Sequence, residues 1–152
     1  MPCGKGQQMD QDFKQCLENK KITAFPRGKE LVNKELSIAQ RDLLDAKAGF
    51  ENQRYKWPTI QAYYAMFHAA RALIYSRGYR EKSHYCLAVA VRTLFVDEGL
   101  MKAQAVRDFL NAMNLRESAD YEAEFSQSGA KAVIASAERF IEKAATILNV
   151  EE

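Results

Sequence analysis

Arg77, Arg80, Lys82 and His84 fall within eight residues, in the segment SRGYREKSH. Ser83 has the residue type of a helix N-cap, and His84 opens the helix that it would cap. A helix start gathers unpaired backbone N–H groups and the positive end of the dipole, so it attracts anions. Arginine's planar fork suits a phosphodiester, and Lys82 and the Ser83 hydroxyl add further contacts. The dipole and the neighbouring cations disfavour a charged His84. A neutral imidazole beside a bound phosphate can take the proton of a ribose 2′-hydroxyl, while an arginine stabilises the charge growing on the phosphate. Those are the essentials of metal-free RNA cleavage. The same residues also read more plainly, with Arg77 and Arg80 closing the preceding helix and His84 on the surface.

A second group lies upstream. Tyr64, His68, Arg71 and Tyr75 are spaced by four, three and four, so they share one stripe of a helix. His68 and Arg71 are candidates to support the basic turn through hydrogen bonds. Equally, His68 reads as a structural residue satisfied within the bundle, and Arg71 as a dimer contact. Downstream, Arg116-Glu117-Ser118-Ala119-Asp120-Tyr121 is expected to be a loop. It offers Arg116 or Tyr121 for stacking on a base, or an Asp–Arg pair of structural use. The two histidines lack partners at metal-ligand spacing, so no metal is expected. No Gly-rich phosphate loop or nucleophile elbow appears.

The elements that must position these groups are helical. Glycine and proline number seven and three in 152 residues, and β-branched residues rarely alternate. Val32, Leu36, Ala39, Leu43, Ala46 and Phe50 form one apolar stripe over residues 29–53. Pro58 suits a helix start, and an apolar helix runs from there to Gly78, which has the type of a C-terminal stop. The next helix follows Ser83 and ends at Gly99. A short helix over 102–114 reads as a side piece, and NLRESADYEAEFSQSG as a loop. The last helix spans about 129–148, capped by Ser126 or Ser128. Short links favour antiparallel neighbours, so the expected fold is an all-α up-and-down bundle of four main helices with short extra ones. Residues 1–28 read as a lead with a short helix marked by Met9, Phe13 and Leu17. Residues 29–152 read as the bundle domain. Residues 1–8 have the look of a ragged lead foreign to the protein, since Met9 can serve as a start.

The net charge is +2, but residues 68–92 hold five arginines and lysines against Glu81 alone. A basic stretch within a near-neutral chain points to a defined anionic ligand more than to general nucleic-acid coating. Three cysteines, Cys3, Cys16 and Cys86, with no CxxC spacing, predict neither a disulfide framework nor a zinc site. The first residues lack the apolar core of a signal peptide, and no apolar run reaches membrane length. The expected setting is a reducing cytoplasm.

The run AYYAMFHAARALIYSRGYREKSHYCLAVAV, with LRESADY downstream, resembles the HEPN domain, in particular the small stand-alone prokaryotic proteins of toxin–antitoxin type. The resemblance covers about residues 29–148. It implies an antiparallel helical bundle, usually homodimeric, and pairing with a minimal nucleotidyltransferase. Many such proteins are metal-independent ribonucleases whose arginine and histidine are four to six residues apart and face a second copy across the dimer. Arg77 and His84, with six residues between them, fit as the catalytic pair. Arg80 and His84, with three, do not, and Arg80, Lys82 and Ser83 are left to bind the substrate phosphate. The polar residue that usually follows the arginine is here Gly78. Where some members carry a modifiable tyrosine two positions past the histidine, this chain has Cys86. Other relatives bind nucleotides without cutting RNA, so the alternative function is a non-catalytic nucleotide-binding protein or accessory partner.

Overall fold

The computed structural model describes residues 3–151. Met1, Pro2 and Glu152 lie outside the described residues, as does the packing expected of the Met9 side chain. Six helices follow in order: α1 (Cys3–Glu18), α2 (Gly28–Glu51), α3 (Lys56–Ser76), α4 (His84–Val91), α5 (Ala103–Tyr121) and α6 (Gln127–Glu151). Two three-residue strands, β1 (Ile22–Ala24) and β2 (Tyr79–Glu81), pair antiparallel with Ile22 opposite Glu81 and Ala24 opposite Tyr79. The protein is an all-α bundle, as its composition requires.

The bundle is built around α3. Fourteen of its 21 residues are buried, among them Tyr63, Met66, Leu73 and Ile74. Alanines at 62, 65, 69, 70 and 72 let α2, α5 and α6 approach closely. Two glycines of α2 show how tight this is. A Cβ on Gly28 would lie 2.8 Å from the Tyr75 carbonyl oxygen, and one on Gly49 would lie 2.9 Å from Pro58. On the far side, α6 presents Val133, Ala137, Phe140, Ala144 and Ile147 at helical spacing, all buried.

The helix ends follow their residue types. Gly78 takes φ +81° just past α3, and Gly99 takes φ +79° after the π-helical turn Arg92–Val96 that continues α4. The Ser83 hydroxyl accepts from the Cys86 N–H at 3.1 Å, and the Ser126 hydroxyl from the Gly129 N–H at 3.0 Å. Pro58 is in the first turn of α3.

Three expectations need correction. The segment after residue 114 is not a loop: α5 continues to Tyr121, and only residues 122–126 are irregular. The buried face of α5 runs Val106, Phe109, Ala112, Arg116, Ala119, an unbroken helical stripe once a buried arginine is admitted to it. So α5 is a full bundle member, and α4 is the short piece. Second, the basic turn contains β2, which pairs with Ile22–Ala24 of the lead, where no strand is expected. Third, Cys16 and Cys86 form a disulfide. Their separation of 70 residues hid the pairing, because only the packing of α1 against α4 brings them together. Among the described residues, no helix is long and apolar enough to cross a membrane.

Candidate active site

His84 opens α4 and is half-buried in an aromatic cage supplied by α3. Its ring is stacked on Phe67, with centroids 4.6 Å apart, and lies nearly parallel to Tyr63 at 5.7 Å. Tyr64 meets it edge-on at 6.4 Å. The spacing of Tyr63, Tyr64 and Phe67 on α3 puts all three over one end of α4. Tyr63 Oη lies 2.5 Å from His84 Nδ1. This bond uses Nδ1 and leaves Nε2 as the nitrogen for a ligand.

The electrostatics favour a neutral imidazole. Burial pushes the His84 pKa below its ordinary 6.5, and the positive charge of Arg116 pushes the same way. The Tyr63 phenol is held far above its ordinary range, chiefly by burial, so it stays protonated. In the tautomer whose Nδ1–H donates to the Tyr63 oxygen, Nε2 presents a lone pair, the form that accepts a proton.

Beside the cage is a half-buried ionic network. The Arg71 guanidinium lies over the Phe67 ring, 4.7 Å from its centroid, so Phe67 touches both His84 and Arg71. Arg71 grips Glu81 of β2 through Nη2 at 2.6 Å and Nε at 3.2 Å, and reaches Glu35 of α2 at 3.4 Å. His68 Nδ1 bonds Glu35 at 2.8 Å, and its Nε2 is 4.0 Å from Asp42. Burial alone would raise the Glu35 pKa, but His68 and Arg71 outweigh it and hold the carboxyl below the ordinary range. His68 and Arg71 are therefore joined to carboxylates of α2 and β2. The sequence stripe that united them with Tyr64 contained no sign of Glu35 or Glu81, which reach them across the fold.

The remaining cations of the basic turn are spread out. Arg77 is half-buried, with its guanidinium 4.5 Å from the centroid of Phe95. Arg80 is exposed and lies over Phe25 at 4.9 Å, and Lys82 is exposed. Strand alternation separates them from Glu81, which turns inward. Ser83 spends its hydroxyl on the α4 cap. The cation whose charge bears most on His84 is Arg116, from α5. Its guanidinium lies over Tyr63 at 5.1 Å and Tyr64 at 5.4 Å, the rings that also face His84.

A family model, the HEPN domain, matches residues 32–148. The chain belongs to the HEPN domain family. That span takes in nearly all of α2, all of α3, α4 and α5, and α6 as far as Leu148, so the His84 cage and the ionic network both lie within the HEPN domain. Similar HEPN-sized proteins come from archaea. One from Methanocaldococcus jannaschii, named "Putative toxin MJ0605", is 32% identical over 124 residues, covering 76% of this chain and 92% of the relative. A UPF0332 protein of Archaeoglobus fulgidus is 34% identical over 119 residues, covering 76% and 94%. UPF0332 protein PH1297 of Pyrococcus horikoshii is 32% identical over 73 residues, about half of each chain.

Proposed function

We propose that this HEPN protein is a toxin-type, metal-independent ribonuclease, and that His84 is its proton-transfer group. The observation that carries the reading is the pinned, neutral imidazole. Nδ1 is fixed on Tyr63, Nε2 is left for a ligand, and the ring sits at a helix start beside two arginines. The name of the M. jannaschii relative supports the toxin class.

Nε2 takes the proton of the ribose 2′-hydroxyl. The 2′ oxygen attacks phosphorus, and the bond from phosphorus to the 5′ oxygen breaks. The imidazolium returns the proton to the departing 5′ oxygen. The products are a 2′,3′-cyclic phosphate and a 5′-hydroxyl. Arg77 enters as the arginine of the family's pair, stabilising the phosphate, and Arg80, Lys82 and Ser83 guide the RNA backbone toward α4. His68, Arg71 and Tyr64 hold the cage and β2 in place. A homodimer brings two such sites together, and a minimal nucleotidyltransferase is the regulatory partner.

The test is end-group analysis of RNA incubated with the purified protein in chelator. Cyclic phosphate ends are expected. Nucleotide binding with no new ends selects the accessory, non-catalytic reading instead.

A further inference from the structure

We infer that the buried Arg116 guanidinium is a ligand for the substrate phosphate, packed on the same Tyr63 and Tyr64 rings that face His84. The inference deepens the reading of His84 as the reactive group and rests on it for the identity of the substrate. Arg116 is only 7% exposed, and its Nε is buried with no hydrogen-bond partner. A buried arginine is ordinarily matched by a close carboxylate. Here the nearest is Asp120, 3.9 Å from Nη1 and itself 38% exposed. The side chain is held instead by the aromatic faces of Tyr63, Tyr64 and, at 5.9 Å, Tyr121, and by hydrogen bonding to the Tyr63 and Tyr121 hydroxyls, which leaves Nε unpaired.

This places a weakly compensated positive charge beside a neutral imidazole, at the N-terminus of α4. The backbone N–H groups of the first α4 turn add to the same positive potential. A phosphate is the anion that suits all three. Its oxygens accept from the guanidinium fork and from the helix start, and its ester oxygen lies within the reach of a histidine nitrogen. Tyr121 ends α5 and is 75% exposed, so its ring forms a cover over Arg116 that can swing aside without disturbing the core.

The experiment follows the His84 ring by NMR titration, with inorganic phosphate and then a nucleoside 3′-monophosphate as probes. The groups whose charge bears on His84 are Arg116 and Glu117 from α5, Glu81 from β2, and Arg71 from α3, with Tyr63 protonated. Phosphate offsets Arg116, so the His84 midpoint is expected to rise saturably in the native protein. In Arg116→Gln the rise disappears and phosphate binding weakens at least tenfold. Arg116→Lys keeps the charge without the planar fork, and is expected to bind more weakly than native. His68, bonded to Glu35, reports in the same spectra that the fold is intact. An unchanged phosphate isotherm in Arg116→Gln, or a native His84 that ignores phosphate, overturns the inference. Because no RNA is cut in this assay, its outcome is separate from that of the ribonuclease reading. Phosphate held by Arg116 in a protein that leaves RNA intact sinks only the latter.

Discussion

Tyr63 Oη and His84 Nδ1 are hydrogen-bonded across 21 residues of sequence, joining the most buried helix of the bundle to the first residue of α4. The bond decides which histidine nitrogen is spent and which is offered. Tyr63→Phe removes it while keeping the ring that stacks on His84 and packs against Phe109. A net hydrogen bond is worth about 1 kcal/mol, so cleavage should fall by about fivefold and stability by a similar free energy. Single-turnover rates and thermal melts measure the two.

The pH dependence follows from the lowered His84 pKa. The folded imidazole titrates below 6.5 and the unfolded one near 6.5, so the unfolded chain binds more protons between the two. The stability contribution of His84 is therefore fully present above pH 6.5 and is lost as pH falls through the folded value. For the same reason the acidic limb of the cleavage profile should have its midpoint below 6.5. A midpoint above 6.5 would place another group in the role of base.

Glu81 is buried against the Arg71 fork and anchors β2, the strand that leads into His84. Glu81→Ala leaves Arg71 with the 3.4 Å contact to Glu35 as its carboxylate partner, beside its packing on Phe67 and Tyr75. Because Arg71 is partly exposed, the cost is expected below the full value for a buried pair, about 2–3 kcal/mol. Urea unfolding checks this, and cleavage should drop along with stability because β2 positions α4.

The Cys16–Cys86 disulfide closes a loop of 70 residues between α1 and the helix that carries His84. In the chain-entropy treatment, a loop of this length contributes about 4 kcal/mol. Reduction should lower the thermal midpoint markedly, and Cys16→Ser with Cys86→Ser should remove the difference between reducing and oxidising buffer. Identical melts of the native protein in both buffers would show that the bond carries no stability.

The helices, the Ser83 cap and the Gly78 stop were legible in the sequence because each rests on local signals: apolar spacing, a hydroxyl at a helix start, a glycine at positive φ. What was not legible depends on contacts distant in the chain. Glu35 reaches His68 over 33 residues, Ile22 pairs with Glu81, and Cys16 meets Cys86. Arg116 was missed as a helical residue for a different reason. Its neighbours Glu117, Ser118 and Asp120 are polar, and an arginine is not expected on a buried stripe, although Phe109, Ala112 and Ala119 mark that stripe on either side. The basic turn does lead into His84 at the start of α4. Its cations, however, are spread along β2 and the end of α3, and the charge that bears most on His84 comes from α5.

The most direct measurement compares native protein with His84→Ala and His84→Gln on RNA in metal-free buffer containing chelator, with thermal melts of all three. The account predicts cyclic-phosphate ends from the native protein and a loss of at least a hundredfold in both variants, with the fold retained in the glutamine variant. Native-like cleavage by either folded variant would contradict it.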